Sequence, residues 1–368
     1  MDRYAAAHAS RNGPGDARPS ALQIVQDEYQ HGNNHAAPLS KLTIVMTGAT
    51  SGIGYETARA LYSTGAKLFL TARDAAKSRR AIDRIVSSIP PVEGMRYQDI
   101  EVVHMDMDSL SSVRQAAGEV LGRTETINVL INNAGEDRLC YTQTALSPDD
   151  DFANTGIAGI PFGHTKDGLE RNWGINYVAP FLLTHHLLPR LEASGSPSRR
   201  SRIVNLSTTG HRLFPTHLEE DPNFEKTPYE PMSAYATSKL AVIYHANYLD
   251  RHFSGRGIRA VSVHPGTIQT PMLDRYDALN SKPVDLPPGY AKELKSTEQG
   301  AATTVFAAIE SCLEDKGGIY LENCTYGKEA AEDLGPMDGG YAAFAFDEEV
   351  EEGLWKDTCR LLGVPESL

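Results

Sequence analysis

Tyr235 and Lys239 are four residues apart in the run SAYATSKLA, whose pattern predicts a helix. Residues at this spacing lie on one face of a helix, about 6 Å apart. A free phenol has a pKa near ~10, and a neighbouring ammonium favours the phenolate. Such a pair can donate a proton to a substrate oxygen or accept one from it, although the same spacing also arises by chance on many helices.

Three hydroxyl side chains, Ser207, Thr208 and Thr209, follow an apolar run that predicts a buried strand ending near residue 206. Side chains alternate between the two sides of an extended chain. Only one of Ser207 and Thr208 can therefore face a pocket beyond the strand end.

A glycine-rich turn lies in VMTGATSGIGYETARAL, after one strand pattern and at the start of a helix pattern. Gly48, Gly52 and Gly54 permit a tight turn and close approach of the backbone to a pyrophosphate, and the helix N-terminus favours an anion. Ser51 and Ile53 belong to the same predicted dinucleotide site. Glycines that merely end a strand are the alternative, which the strand before and the helix after argue against.

The end of the second strand pattern, LTARD, bears on which dinucleotide binds. NAD sites usually place an acidic residue at this point, whereas a 2'-phosphate requires Arg. Ala72 and Arg73 stand there, which favours NADP, with NAD as the less favoured cofactor. A solvated Arg73, or an Asp74 that faces the ribose, remains open.

Two further strand ends carry candidate cofactor residues. Asp106 follows the third strand, where a carboxylate can accept a hydrogen bond from the adenine amino group, while Asp108 is an alternative as a helix cap. Asn133, in the NNAG run after the fourth strand, lies where the backbone can approach the cofactor.

The elements that position these residues are seven apolar runs separated by helix-length segments. Runs that are apolar throughout predict strands covered on both faces. Strands that alternate with helices predict an α/β fold with a doubly wound parallel sheet, the Rossmann fold. The seven runs are LTIVMTG, KLFLTAR, IEVVHMD, INVLINN, RIVNLS, RAVSVHPG and GGIYLEN.

We expect a single domain with extensions at both ends. Residues 1–38 are predicted to be a mostly flexible arm, in which ALQIVQDEY can form one amphipathic helix against the body. Residues 39–330 form the dinucleotide-binding domain, with a long loop at 136–166 and a substrate loop at 267–296. Residues 331–368 are an extension with a final amphipathic helix.

Composition narrows the partners. The net charge of -13 argues against a nucleic-acid or anionic membrane surface, and no run is apolar for long enough to span a bilayer. The cysteines Cys140, Cys312, Cys324 and Cys359 show neither metal-binding nor disulfide spacing. We expect a cytoplasmic protein without a metal, acting on a small molecule.

The chain resembles the short-chain dehydrogenases/reductases, within them the retinol-dehydrogenase-like branch that includes many fungal members. The resemblance extends from about Leu39 to the C-terminal helix. It rests on TGATSGIG, LTARD, NNAG, GINYVAPFLLT, IVNLSTTGH, YATSK and HPGTIQT, which occur in the order of the family.

The resemblance implies hydride transfer at a nicotinamide, with Tyr235 as acid/base and Lys239 assisting it and holding the nicotinamide ribose. It implies that Asn176 helps to position a water near the lysine, and that Ile268 and Thr270 meet the nicotinamide carboxamide. His264 is expected to be structural. The family often forms dimers or tetramers, so a homo-oligomer is possible.

The chain departs from the pattern of the branch at three places. Thr208 stands where the family has the serine that hydrogen-bonds the substrate oxygen; its hydroxyl can form the same bonds, and its methyl group narrows the pocket. Ala179 and Pro180 replace the usual Gly and His, from which we expect a local kink. The segment 136–155 looks inserted, and it is either a lid, a disordered insertion or an artefact of gene-model translation.

We therefore expect an NADP-dependent oxidoreductase that interconverts an alcohol and an aldehyde or ketone on a small, fairly apolar substrate, in secondary metabolism. The alternative is a dinucleotide-binding protein that senses redox state or acts as a scaffold without turnover.

Overall fold

The computed structural model describes residues 3–31, 38–91, 96–134, 161–268, 289–331 and 338–367. These residues build an eight-stranded sheet in the order β3-β2-β1-β4-β5-β6-β7-β8, parallel except for β8. The strands are β1 (Thr43–Thr47), β2 (Lys67–Ala72), β3 (Glu101–His104), β4 (Val129–Asn132), β5 (Ser201–Leu206), β6 (Ile258–His264), β7 (Ile319–Glu322) and β8 (Thr325–Tyr326).

Helices join the strands and cover both faces of the sheet. They are α1 (Ala5–Ala9), α2 (Ala21–His31), α3 (Gly52–Tyr62), α4 (Ala75–Ser88), α5 (Leu110–Arg123), α6 (Arg171–Trp173), α7 (Ala179–Ser194), α8 (Gly210–Leu213), α9 (Pro231–Phe253), α10 (Tyr290–Glu293), α11 (Thr297–Gly300), α12 (Ala302–Ile309) and α13 (Glu348–Leu362). A π-helical turn, Gly174–Val178, connects α6 to α7, and short 3₁₀ turns lie at Leu39–Lys41, Ser254–Arg256, Ser311–Leu313 and Ala343–Phe346. None of the helices in the described ranges has the length and apolarity that crossing a membrane requires.

The predicted doubly wound sheet is confirmed, and each of the seven apolar runs overlaps one of the strands β1 to β7. The sequence did not predict β8. It pairs with β7 through a two-residue turn in which Asn323 and Cys324 have φ values of 52° and 55°. Positive φ at both central residues is the geometry of a tight hairpin, and a cysteine there is an unusual signal for one.

The continuous apolarity of the strands follows from a core on each side of the sheet. Val45 and Phe69 belong to the core that α5, α7, α9 and α13 cover. Their strand neighbours Ile44 and Leu68 belong to the opposite core, covered by α2, α3, α4 and α12. Because neighbouring side chains enter different cores, consecutive positions in the middle of these strands are apolar.

The N-terminal arm differs from the mostly flexible segment that we expected. The expected amphipathic helix is present as α2, but the described residues 3–31 pack onto the domain as a whole. Ile24 and Val25 are 0% and 3% exposed in the core beside α3 and α12. Glu28 accepts a hydrogen bond from the backbone of Ser311, which ties α2 to the turn after α12. The polar composition of the arm concealed its packing onto the domain, since only a few apolar side chains such as Ile24 and Val25 enter the core.

The C-terminal extension ends in the expected helix, α13, which packs against α9. The Trp355 ring stacks on Tyr248 with centroids 4.2 Å apart and is 2% exposed. Most of the two long loops expected at 136–166 and 267–296 lies outside the described residues.

Candidate active site

The glycine-rich turn follows β1 at the point where the strand order reverses between β1 and β4, the usual ligand crevice of such sheets. Gly48 and Gly52 have φ values of 69° and 55°, which glycine adopts without strain. A Cβ on Gly54 would lie 1.9 Å from the Gly48 carbonyl oxygen, so this turn cannot hold a side chain there. The close backbone packing brings the start of α3 to the strand end.

The NNAG motif holds this turn from the neighbouring strand. Asn133 donates from Nδ2 to the carbonyl oxygens of Thr47 and Gly48, at 3.0 and 2.9 Å. The Ala134 backbone donates to Thr47 Oγ1, at 2.7 Å. The structure therefore brings Gly48, Gly54 and Asn133 together, as the sequence predicts.

The N-terminus of α3 fits an anionic group. Ser51 occupies the N-cap position, yet its side chain makes no capping hydrogen bond. The first N–H groups of a helix lack intrahelical partners and carry partial positive charge. The Ser51 hydroxyl and these N–H groups form a cradle suited to the pyrophosphate of a dinucleotide.

At the end of β2, Arg73 and Asp74 lie in different surroundings. Asp74 caps α4, its Oδ1 accepting from the Lys77 backbone at 2.9 Å, and this bond lowers the pKa of Asp74. A capping carboxylate is engaged with its own helix and is less suited to a ribose. Arg73 is exposed at the carboxyl edge of the sheet.

Asp106 lies at the end of β3, where it was expected, and it has a partner that the sequence did not suggest. Lys166 donates from Nζ to Asp106 Oδ2 at 2.6 Å. Burial disfavours the charged carboxylate, but the Lys166 hydrogen bond and the nearby Arg73 outweigh it and lower the pKa of Asp106. Asp106 is therefore ionised and remains an acceptor. Lys166 stands in the TKDGLE run, but a lone lysine there does not indicate its partner.

Tyr235 and Lys239 lie in the first turns of α9. The helix begins at Pro231, whose fixed φ suits a first helical position, and Glu230 caps it by accepting from the Ser233 backbone. Lys239 Nζ is 5.7 Å from the centroid of the Tyr235 ring, close to the separation expected from the spacing. Lys239 is 6% exposed and donates to the Leu206 carbonyl oxygen at 3.1 Å, so the lysine is held between α9 and the end of β5.

The hydroxyls after β5 point in different directions. Ser207 is 3% exposed and donates to the Lys239 carbonyl oxygen. Thr208 is less buried and lies beside the tyrosine: a Cβ on Gly210 would be 3.1 Å from Thr208 Cγ2 and 3.6 Å from Tyr235 Cε1. Thr208 Oγ1 accepts from the Gly210 backbone at 3.2 Å, so its hydrogen can be donated elsewhere.

His211 fixes the backbone of Thr208 and was not predicted. Its Nε2 accepts from the Ala342 backbone at 3.1 Å, so Nδ1 carries the hydrogen and donates to the Thr208 carbonyl oxygen. Burial lowers the pKa of His211 to about 4, which keeps the ring neutral near pH 7. The C-terminal extension thus supports the strand end through one histidine.

Asn176 lies in the π-helical turn, immediately before Ala179 and Pro180, where the sequence suggested a local kink. It is 2% exposed, and its Nδ2 donates to Ser238 Oγ at 3.0 Å. Ser238 in turn donates to the Tyr235 carbonyl oxygen at 2.7 Å. π-helical turns are frequent at functional sites, and this one joins Asn176 to the turn of α9 that carries Tyr235.

Ile268 lies in the turn after β6 and approaches the glycine-rich turn. A Cβ on Gly300 would be 2.6 Å from Ile268 Cγ1 and 3.4 Å from Ile53 Cγ1, so both isoleucines pack on Gly300. Burial lowers the pKa of His264 to about 3, which suits a neutral structural residue. Thr270 lies outside the described residues.

The described candidate residues therefore gather at the carboxyl edge of the sheet. One group, at β1, β2, β3 and β4, can hold the adenine and pyrophosphate portions of a dinucleotide; the other, at β5, α9 and the π-helical turn, carries the hydroxyl groups and the lysine.

Comparison with known proteins agrees with this geometry. Residues 48–306 match the family model described as enoyl-(acyl carrier protein) reductase. The chain is 36% identical to oxidoreductase calI of Penicillium decumbens over 99% of this chain and 98% of that protein. It is 30% identical to retinol dehydrogenase 13 of Homo sapiens, over 88% of this chain and 85% of the relative.

A solved structure shares the fold. An uncharacterised protein from Mycobacterium paratuberculosis superimposes with a TM-score of 0.60 at 28% identity, covering 89% of this chain and 96% of that one. The structural comparison thus agrees with the α/β fold described above.

Proposed function

Since this chain belongs to the short-chain dehydrogenase/reductase family, we propose that it is an NADP-dependent oxidoreductase that interconverts an alcohol and an aldehyde or ketone. The observation that carries the proposal is the placement of Thr208 beside Tyr235, with Lys239 5.7 Å from the tyrosine ring, at the sheet edge that also holds the glycine-rich turn. That arrangement unites a hydroxyl, a phenol and an ammonium next to a dinucleotide cradle.

The residues present fit a nicotinamide dinucleotide. The turn excludes side chains at Gly48 and Gly54, Gly52 has a positive φ that favours glycine, and the Ser51 side chain makes no capping hydrogen bond to α3. Gly48, Ser51, Gly52, Ile53, Gly54 and Asn133 would hold the pyrophosphate side, and Ile268 and Thr270 the nicotinamide side. When bound, the nicotinamide supplies or accepts the hydride.

The protein would manage the proton. Tyr235 donates its phenolic hydrogen to the carbonyl oxygen in reduction and removes the alcohol hydrogen in oxidation. Thr208 donates a hydrogen bond to the same oxygen, which holds it and stabilises negative charge as it develops. Lys239 favours the phenolate electrostatically, because an ammonium nearby stabilises the opposite charge.

We also propose that Asn176 positions these groups. Its hydrogen bond to Ser238 lies one turn of α9 from Tyr235 and next to Lys239. Burial of the amide makes the bond costly to lose, since an unpaired polar group in the interior is destabilising.

Selectivity for NADP is assigned to Arg73. Asp74, the acidic residue next to it, caps α4, and the exposed guanidinium of Arg73 at the same strand end would meet a 2'-phosphate. Asp106 would accept from the adenine amino group while it holds Lys166.

The substrate is proposed to be small and fairly apolar. Specialised secondary metabolism, a cytoplasmic location and a homo-oligomer complete the proposal. They rest on the resemblance to the retinol-dehydrogenase-like branch and its fungal members. They rest also on the net charge of -13, which disfavours binding to nucleic acid.

The test is to mix the purified protein with NADPH and a panel of aldehydes and ketones and to follow the absorbance of the reduced cofactor. We expect consumption by the wild type, and loss of turnover with retained NADPH binding in Tyr235→Phe, which removes only the hydroxyl. Cofactor binding without consumption across the panel would favour the redox sensor or scaffold instead. Equal turnover in Tyr235→Phe would remove the tyrosine from the proposed chemistry.

A further inference from the structure

The N-terminal arm is tied to the segment that follows α10. Arg18 is 4% exposed, and its guanidinium donates to the carbonyl oxygens of Gly13, Glu293 and Leu294, while Nε binds the Asp16 carboxylate at 2.8 Å. One buried side chain thus holds consecutive carbonyl groups of the segment 293–294. A guanidinium suits this role because its donors form a rigid planar fork.

Gln299, at the start of α11, provides a second link to the arm. Its Nε2 donates to the Arg18 carbonyl oxygen at 3.1 Å and to Asp16 Oδ1 at 3.0 Å. Its Oε1 accepts from the backbones of Gly15 and Ser296, at 2.9 and 3.0 Å. The Gln299 side chain is 4% exposed. Because water cannot reach its amide, these protein hydrogen bonds satisfy it instead.

Lys295 lies between these two links and turns toward the cofactor side. It is 3% exposed, and Nζ donates to the Pro265 carbonyl oxygen at 3.1 Å and to Asn323 Oδ1 at 2.9 Å. Its backbone N–H donates to the Thr267 carbonyl oxygen at 2.8 Å. Lys295 is therefore hydrogen-bonded to the turn after β6 at the carbonyl groups of Pro265 and Thr267.

The turn rests directly on this lysine. Gly266 has a φ of 100°, and a Cβ there would lie 2.7 Å from Lys295 Nζ. Ile268, two residues on, is paired with Lys295 in a parallel bridge and packs on Gly300. The position of the Pro265–Ile268 backbone is thus set by residues 295–300, which the arm clamps from the other side.

We infer that residues 13–18 of the N-terminal arm contribute to the cofactor site. Arg18 and Lys295 are positioning residues for the turn Pro265–Ile268, which meets the nicotinamide end of the dinucleotide. The inference rests on the proposed function, because that function assigns Ile268 to the nicotinamide. Arg18 acts through the carbonyl groups before Lys295, and Lys295 acts through the carbonyl groups of the turn.

The inference makes a prediction that separates the two ends of the cofactor. Adenosine 2',5'-bisphosphate contains the adenine and the 2'-phosphate but no nicotinamide. Removing the contacts of Arg18 or Lys295 should weaken the binding of NADPH and leave the binding of this fragment unchanged. A general loss of structure would weaken the binding of both ligands.

The test uses full-length Arg18→Met and Lys295→Met, with Arg11→Met as the matched control. Arg11 belongs to the same arm, pairs with the Glu293 side chain and donates to the His8 carbonyl oxygen, whereas the carbonyl oxygens of residues 293–294 accept from Arg18. By isothermal titration calorimetry we expect Arg18→Met and Lys295→Met to bind NADPH about tenfold more weakly than the wild type does. Their dissociation constants for the fragment should stay within about twofold of the wild-type value. Arg11→Met should bind both ligands as the wild type does.

A second measurement covers a variant that folds poorly. Arg18→Lys keeps a cation but has fewer donors in a fixed geometry. Its dissociation constant for NADPH should lie between those of the wild type and Arg18→Met. Its kcat at saturating NADPH should also lie between the values of these two proteins. If kcat stays at the wild-type value in Arg18→Met, Lys295→Met and Arg18→Lys, the nicotinamide is not displaced and the inference is overturned.

Other outcomes are equally decisive. Equal weakening of NADPH and the fragment, or unchanged NADPH binding in both methionine variants, would mean that the arm only packs against the domain. If the wild type prefers NADH, the proposed NADP selectivity fails alone, and the same comparison is made with NADH and 5'-ADP. If the wild type binds neither dinucleotide, the proposed function fails and this inference fails with it.

Discussion

Ser207 donates its hydroxyl hydrogen to the backbone carbonyl oxygen of Lys239, 2.8 Å away. The bond joins the end of β5 to α9, and it holds the Ser207 side chain in the interior. The next residue, Thr208, consequently points to the side of Tyr235, as alternation along the chain requires.

From this register we predict that the hydroxyl of Thr208 is needed for turnover. Thr208→Val keeps the shape of the side chain and removes the hydroxyl, and kcat/KM should fall about a hundredfold because one hydrogen bond to the developing charge is lost. Steady-state kinetics with NADPH and a carbonyl substrate measures the effect.

Thr208→Ser and Ser207→Ala are the matched variants. Thr208→Ser restores the usual family residue and should retain turnover, whereas Ser207→Ala should lower stability more than kcat/KM. A larger loss of kcat/KM in Ser207→Ala than in Thr208→Val would place the substrate-facing hydroxyl one residue earlier.

Arg73 is predicted to set cofactor choice. Arg73→Ala removes a charged partner of the 2'-phosphate, and NADPH should bind about tenfold to a hundredfold more weakly, with little change for NADH. Titration calorimetry with the two cofactors measures both constants. The exposed Arg79 of α4 is the control, and Arg79→Ala should leave the ratio of the two constants unchanged; equal losses for both cofactors in Arg73→Ala would exclude Arg73 as the phosphate ligand.

The pH dependence of stability is predicted to involve two carboxyl groups, Glu28 of α2 and Glu310 at the end of α12. Burial, a hydrogen bond with Glu28 and the charge of Glu28 raise the pKa of Glu310 to about 8, and Arg3 and Arg202 oppose this. The folded chain therefore binds more protons than the unfolded chain between the ordinary value of 4.5 and about 8, so the free energy of unfolding falls as the pH rises through this range.

The variant Glu310→Gln keeps the size of the side chain and removes its titration. Its unfolding temperature should change less between about pH 5 and about pH 8 than that of the wild type, as measured by differential scanning calorimetry. Glu349→Gln, on the exposed side of α13, should behave as the wild type. An unchanged pH slope in Glu310→Gln would show that the pair does not titrate in this range.

The C-terminal helix is predicted to be held mainly by Trp355. The indole stacks on Tyr248 and lies 4.8 Å, centroid to centroid, from Phe181 of α7. Trp355→Ala should lower the free energy of unfolding by about 3–5 kcal/mol, because it leaves a cavity among large rings. Chemical denaturation measures the loss. Leu361→Ala is the control on the same helix, since this side chain is 53% exposed, and a similar loss in both variants would contradict the role of the indole.

Much of the fold could be predicted because the signals are local. Each of the first seven strands coincides with an apolar run, and Gly48 and Gly54 stand where only glycine fits. The pairing of Tyr235 with Lys239 follows from helical spacing, and the opposite directions of Ser207 and Thr208 follow from alternation. These properties depend on backbone geometry over a few residues, which sequence reports directly.

Other features depend on contacts between distant parts of the chain. Lys166 and Asp106 are 60 residues apart, and Arg18 meets the Glu293 carbonyl across 275 residues. No periodicity predicts such pairs, because any basic side chain can meet any acceptor that folding brings near it.

The sequence by itself determined the family, the doubly wound sheet and the residue types at the carboxyl edge. Only the tertiary structure decided that Asp74 caps a helix, that His211 holds the backbone of Thr208, and that an arm of polar composition is packed against the segment carrying Lys295. The physical reason is that hydrogen-bonding groups choose partners by distance and by exclusion of water, and both are set only once the sheet and its two layers of helices have formed.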